Sequence, residues 1–221
     1  MRCTERLTAL LAAAIAALGA GCANVERSRD VANAAVPGPV LARQVCSMCH
    51  GTAGSAVSPN FPNLAGQTAP YLSSQLRSFR ARQRRDPAGY EYMWGLSRAL
   101  TDDQIDALAA YFSAAALQPQ PVEGRAEQIG AGARIFAAGV PARDVPACAS
   151  CHGDKALGNA IFPRLAGQHM DYLIKQLEVF QRTDERSDPQ TMPTGLLMKN
   201  VAHSLDAAQI VAVAAYVQSL R

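Results

Sequence analysis

The sequence predicts an all-α protein built as two copies of one small helical domain. Three observations carry this. Whole blocks recur at an offset of about one hundred residues, their apolar positions keep helical spacing, and no run alternates as a strand does. Of 221 residues, 49% are hydrophobic and 18% charged, which excludes a disordered chain, a collagen-like chain and a polytopic membrane protein. Two features of the composition need a cause. One tryptophan, six tyrosines and six phenylalanines are few for a core of this size, and six cysteines are too few for a disulfide scaffold.

The chain begins with a stretch that reads as an export signal, residues 1–22. Arg2 and Arg6 give it a positive start, Leu7 to Ala20 form an apolar run, and small residues precede Cys22. That run is shorter than the ~20 residues a bilayer span needs. Cleavage just before Cys22 leaves a cysteine open to lipidation, although Gly19 stands where a lipobox has leucine; cleavage after Ala23 leaves an ordinary signal peptide. In both cases Cys3 departs with the leader, the mature protein works outside the cytoplasm, and a lipid on Cys22 is the one expected membrane attachment. Residues 23–37 read as a flexible segment.

The first domain is expected over 38–118 and the second over 125–221. Between them Leu117-Gln-Pro-Gln-Pro-Val-Glu-Gly124 has two prolines, a glycine and no helical period, so 119–124 is the linker. Tyr71, Leu72, Gln75, Leu76 and Phe79 keep i, i+3/i+4 spacing, as do Ile105, Leu108, Ala109 and Phe112. Thr101 with Gln104, and Asp206 with Gln209, make the N-cap pairs that start the last helix of each copy. Each copy thus has three or four helices joined by glycine- and proline-rich loops.

The repeated blocks hold the chemistry. Cys46-Ser-Met-Cys49-His50-Gly51 returns as Cys148-Ala-Ser-Cys151-His152-Gly153, and Phe61-Pro-Asn-Leu-Ala-Gly-Gln67 as Phe162-Pro-Arg-Leu-Ala-Gly-Gln168. Met93, Leu100, Gln104, Ile105 and Tyr111 align with Met198, Leu205, Gln209, Ile210 and Tyr216. A Cys-x-x-Cys-His pentad is the attachment site of a c-type haem: two thiolates add to the vinyl groups and the adjoining histidine ligates the iron. Two cysteines three apart on a helical turn face one edge of the porphyrin and carry the imidazole beneath the metal. A closed zinc site needs four ligands, whereas each pentad offers two cysteines and one histidine. A thioredoxin-like disulfide needs a βαβ pattern, which is missing. Two covalent porphyrins also explain the scarce aromatics, since each supplies a large flat apolar body for its core.

His50 and His152 are then the proximal ligands. Met93 and Met198, at the same place in both repeats just before the last helix, are the candidate distal ligands. A single methionine on an apolar face is more often core filler; repetition favours ligation. In the second copy Met192 competes with Met198, and the repeat alignment favours Met198.

With these motifs the chain resembles the dihaem class I cytochromes c of the cytochrome c4 type over nearly all of residues 38–221. The resemblance rests on Val-Pro-Ala-Cys148-Ala-Ser-Cys151-His152-Gly, the Phe-Pro-x-Leu-Ala-Gly-Gln blocks, and Met198-Lys-Asn-Val-Ala-His-Ser-Leu before a helix ending in Tyr216-Val-Gln-Ser-Leu. It implies two class I cytochrome c domains related by pseudo-twofold symmetry, each with His/Met-ligated iron, acting as a periplasmic electron carrier. It also implies that the carbonyls of Pro62 and Pro163 accept the proximal histidines' Nδ1–H. The family's glycine after the helices that hold Phe79 and Phe180 is absent, Arg82 and Thr183 standing there.

The expected function is one-electron transfer between a respiratory donor, a quinol-oxidising cytochrome complex or a dehydrogenase, and a terminal oxidase or other acceptor. The alternatives are a haem subunit of a dehydrogenase or sulfur-oxidising complex, a dihaem peroxidase, and a sensor or structural haem module. A peroxidase needs one iron open to its oxidant, whereas both copies carry a methionine. The formal charge is +3, with nine basic against seven acidic residues over 23–118 and ten against ten over 119–221. Arg77, Arg80, Arg82, Arg84 and Arg85 read either as a solvated helix end or as groups meeting haem propionates or an acidic partner. Basic residues without a nucleic-acid motif exclude nucleic acid as a partner. His169 and His203 read as ordinary surface or loop residues.

Overall fold

The computed structural model describes residues 27–87, 89–190 and 193–221. The export signal at 1–22, with Cys3 and Cys22, and the rival methionine Met192 lie outside the described residues. The described chain is helical, with only two isolated β-bridges, Val140 with Val145 and Asn159 with Phe162. No helix among the described residues is long and apolar enough to cross a membrane.

In the first domain α1 (Gly38–Leu41) runs through a π-helical stretch, Ala42–Cys46, into α2 (Ser47–His50). Then come α3 (Ala69–Arg80), a second π-helical stretch, Gly89–Met93, α4 (Trp94–Ser97) and α5 (Asp102–Ser113). The second domain has α6 (Ala126–Ala138), α7 (Ala149–His152), α8 (Met170–Arg182), α9 (Pro193–His203) and α10 (Ala207–Ser219). Both capping boxes form: Thr101 and Asp206 each accept from the backbone N–H three residues on, and Gln104 and Gln209 reach back to the cap.

The apolar faces read from the sequence meet as cores. Leu41, Leu72, Ile105, Leu108 and Phe112 pack in the first domain; Phe136, Leu173, Val213 and Val217 pack in the second. Glycine allows the closest crossings. A Cβ on Gly132 would lie 2.0 Å from the Ala212 carbonyl oxygen, so α6 and α10 touch backbone to backbone; one on Gly38 would meet the Ala107 methyl at 2.6 Å. The segment expected to be flexible is tied down from Val31 onward: Val31 and Val36 join the first core, and Gln104 Nε2 donates to the carbonyls of Asn33 and Val36.

The copies are clasped by their repeated glutamines. Gln67 accepts from the Arg164 N–H at 2.6 Å and donates to the Arg164 carbonyl at 2.9 Å. Gln168 does the same with the Asn63 N–H, 2.8 Å, and the Asn63 carbonyl, 2.9 Å. Asn63 and Arg164 are equivalent positions, so each Phe-Pro-x-Leu-Ala-Gly-Gln block grips its copy across a pseudo-twofold axis. The side-chain amide supplies a donor and an acceptor together, as a strand would, and pairs both the N–H and the carbonyl of Asn63 and of Arg164.

His169 corrects one expectation. It is 3% exposed, and its Nε2 lies 3.0 Å from the Ala56 carbonyl of the other domain. It follows the clasping Gln168 at the N-cap of α8 and so is drawn into the interface. His203 is exposed, as expected.

Candidate functional site

Each pentad closes a short helical turn and ends at a glycine with positive φ, Gly51 at 75° and Gly153 at 78°. That left-handed turn, open to glycine without strain, sends the chain away from the imidazole. The loop returns through the Phe-Pro block, where the Pro62 carbonyl lies 2.9 Å from His50 Nδ1 and the Pro163 carbonyl 2.8 Å from His152 Nδ1. A carbonyl only accepts, so Nδ1 carries the proton and Nε2 is the nitrogen left to bind a metal. The rings of Phe61 and Phe162 stand edge-on to the imidazoles, with centroids 6.0 and 6.4 Å away. Burial pushes both imidazoles below their usual pKa, against the upward pull of the carbonyl bonds, so the neutral ligating form dominates at neutral pH.

One continuous cavity of about 590 Å³ reaches Cys46, Cys49 and His50, Cys148, Cys151 and His152, and both Met93 and Met198. Met93 closes the π-helical stretch Gly89–Met93, while Met198 lies inside α9. The remaining walls are mostly apolar, including Leu72, Leu76 and Phe79 in one half and Leu173, Leu177 and Phe180 in the other.

Two arginines meet where the halves of the cavity join. Arg84 is 6% exposed, which rules out the solvated-helix-end reading for this member of the cluster, and Arg186 is 4% exposed. Arg77 and Arg80, in the last turn of α3, are more exposed and pair with Asp102 and Asp106 of α5. Arg84 donates to Gln75 of its own domain at 2.9 Å and to Gln176 of the other at 3.2 Å. Arg186 donates to Gln176, and across the interface to Gln75 at 3.1 Å and the Tyr71 hydroxyl at 3.2 Å. Asp86, 1% exposed, takes Arg84 Nε at 2.7 Å. Burial pushes the Asp86 carboxyl up, but the charge and hydrogen bond of Arg84, with the charge of Arg186, outweigh it and hold the group below its usual value. Arg186 Nε has no partner among the described residues.

These features fit a covalent haem in each half. The buried Nε of Arg186 and its cationic charge call for an anion at the cavity wall, and the propionates of a haem are such anions. Burial raises the thiols of Cys46 and Cys148 to about 11; a neutral thioether suits such a site and a thiolate ligand does not. All four pentad cysteines are free of disulfides, and no group of three or more His, Cys, Asp or Glu among the described residues could hold a metal ion unaided.

The profile of the cytochrome c family matches residues 35–115 and again 129–221. The chain belongs to the cytochrome c family. A cytochrome c-552 of Acidithiobacillus ferridurans is 37% identical over 199 residues, 88% of this chain and 82% of that protein. The solved cytochrome c4 of Acidithiobacillus ferrooxidans superposes with a TM-score of 0.70 at 38% identity, covering 79% of this chain and 98% of that one. A protein of Thiomonas intermedia named thiosulfate dehydrogenase electron acceptor is 33% identical over 175 residues, 76% of this chain and 75% of its own. The protein is thus a cytochrome of the c4 type, two tandem cytochrome c domains carrying two covalent haems c, and an electron carrier by kind.

Sequence reasoning missed the interdomain parts of this cytochrome. Gln67 with Gln168 and Gln75 with Gln176 are repeated in both copies, as are Arg84-Arg-Asp86-Pro and Arg186-Ser-Asp188-Pro. The available signal was a polar residue kept in both copies, on a helix at Gln75 and Gln176 and in the adjoining loops at Gln67, Gln168, Arg84 and Arg186.

Proposed function

We propose that this protein carries single electrons in the periplasm between a respiratory donor and a terminal oxidase or other acceptor. Domain 1, residues 38–118, would hold its haem through Cys46 and Cys49, with His50 and Met93 as the iron's protein ligands. Domain 2, residues 125–221 beyond the linker 119–124, would use Cys148, Cys151, His152 and Met198. Residues 1–22 would direct export, with Cys22 as the lipid site if cleavage precedes it. Haem iron, when bound, supplies a one-electron ferric–ferrous couple. The Pro62 and Pro163 carbonyls fix the imidazole tautomer and orientation, which leaves Nε2 as the ligating nitrogen in either oxidation state. Met93 and Met198 are part of a lining that is mostly apolar.

The reading is supported above all by one observation: the lining of the cavity includes, from each domain, a pentad whose histidine has only Nε2 free and a methionine from the matching point of the repeat. An optical and redox titration of the purified protein tests it. Two haems, two one-electron waves and a weak far-red sulfur-to-iron band in the ferric form are expected. Rapid binding of carbon monoxide to a reduced haem would mean an open iron and favour a peroxidase.

A second reading concerns the donor. The Thiomonas relative is named as an electron acceptor of thiosulfate dehydrogenase, which supports a sulfur-oxidising dehydrogenase as the source of electrons. Reduction of the purified protein by such an enzyme with thiosulfate, at a rate above that with a quinol-oxidising complex, would select it.

A further inference from the structure

We propose that domain 1, not domain 2, carries the docking face at which an acidic redox protein exchanges electrons with this cytochrome. The face is the surface of the Gly89–Met93 turn and α4. The inference rests on the haem reading above.

Three observations converge there. First, a chain of aromatic rings runs from the cavity to the surface: His50 meets Phe61 edge-on, and Phe61 meets Tyr92 edge-on at 6.5 Å. Tyr92 is 58% exposed. Electronic coupling falls steeply with distance through empty space, so rings in contact make this the short route out of domain 1. In domain 2 Phe162 meets His152 in the same way, but the residue aligned with Tyr92 is Leu197, and no further aromatic contact continues the chain among the described residues.

Second, the rings beside Tyr92 form a partly exposed platform under positive charge. Tyr90 stacks on Trp94, centroids 6.1 Å apart and planes 11° from parallel. The guanidinium of Arg82 sits 4.1 Å from the Trp94 centroid and that of Arg98 5.5 Å. Neither guanidinium has a carboxylate partner among the described residues, and Glu91 is the one acid in residues 89–98. The positions aligned with Tyr90, Trp94 and Arg98 are Gly195, Lys199 and His203, so domain 2 repeats none of it. Third, Arg82 reaches Trp94 from a left-handed backbone, φ 59°, which a side chain adopts only when its surroundings hold it there.

Large amphipathic rings, arginines without partners and a short path inward match the make-up of a transient docking site, and its charge selects an acidic surface. One electron crosses there to an oxidised partner and no proton moves.

The test uses the haem-loaded protein and anionic probes. Hexacyanochromate(III), which is paramagnetic and inert to reduction here, should broaden the NMR signals of Trp94, Tyr90 and Tyr92 at low salt and spare that of Tyr216; poly-L-glutamate should displace it. Ferricyanide takes one electron from the reduced protein and becomes ferrocyanide. Its rate should fall about tenfold in R82E/R98E and rise with tris(phenanthroline)cobalt(III), both effects fading with salt. R82Q/R98Q should lie between, which separates charge from misfolding. Y92L should slow both oxidants while leaving the hexacyanochromate broadening in place. Broadening centred on domain 2, or equal rates in wild type and R82E/R98E, would overturn the proposal. Haem content and two redox waves, measured on the same samples, report separately on the haem reading.

Discussion

In domain 1 Met93 ends a π-helical stretch, Gly89–Met93, that passes at once into the single turn of α4; in domain 2 Met198 lies within an unbroken helix, Pro193–His203. Behind the methionines the domains differ again. Arg84 has Asp86 against it, whereas Arg186 Nε has no partner. The anchoring loops, by contrast, match to within 0.1 Å in the bond from the proximal histidine to its proline carbonyl. Duplication has therefore kept the anchoring loops alike while the backbone that carries each methionine has drifted apart. π-turns commonly mark functional points in helices, and here one is found in the half that also carries the exposed rings.

The strongest way to break the comparison is at Asp86. Asp86→Ala leaves Arg84 buried with its Nε bare, as Arg186 already is, and should cost about 3–5 kcal/mol in guanidinium-induced unfolding. A loss below about 1 kcal/mol would mean that the pair is solvated. The same carboxyl carries a pH signature. Its pKa is held down in the folded state, so its contribution is complete above the unfolded value near 3.9 and is lost as pH falls through the lower folded value. Wild-type stability should fall more steeply below about pH 4 than that of Asp86→Asn. Parallel acid profiles would remove Asp86 from the account.

Next in size is the contrast between the two helix crossings. Gly132→Ala drives a methyl into the Ala212 carbonyl oxygen, which cannot turn aside because it belongs to the backbone of α10. About 2–3 kcal/mol is expected. Gly38→Ala meets the Ala107 methyl and should cost about 1 kcal/mol. Denaturant midpoints of the two variants give the order directly, and a reversed order would show that α1, not α6, makes the tighter crossing.

How much of this could be read beforehand follows the range of the interactions. The pentads, the helix stripes and the caps at Thr101 and Asp206 are local patterns, and periodicity exposes them. Gln67, Gln168, Arg84 and His169 acquire meaning only when a second copy lies against them, and nothing within a few residues of each announces that. Arg84 was legible as charge but not as buried charge. Its neighbours Arg77 and Arg80 look alike in sequence and are more exposed, paired with Asp102 and Asp106.

The smallest effect, and the sharpest contrast of sign, lies after α3 and α8. Arg82 is left-handed at φ 59°, whereas Thr183, at the matching place, is extended at φ −133° and donates its hydroxyl to the Val179 carbonyl at 2.9 Å. Arg82→Gly relieves a strain of roughly 1 kcal/mol and gives up a cation–π contact of roughly 0.5–1 kcal/mol, so stability should change by less than about 0.5 kcal/mol. Arg82→Ala keeps the strain and loses the contact, and should cost about 0.5–1 kcal/mol. Thr183→Gly has no strain to relieve; it loses a hydrogen bond and frees the unfolded chain, at a cost of about 1–2 kcal/mol. Glycine at the two equivalent positions should thus be neutral in domain 1 and harmful in domain 2. If Arg82→Gly were as destabilising as Thr183→Gly, the guanidinium over Trp94 would contribute far more than an exposed cation–π pair.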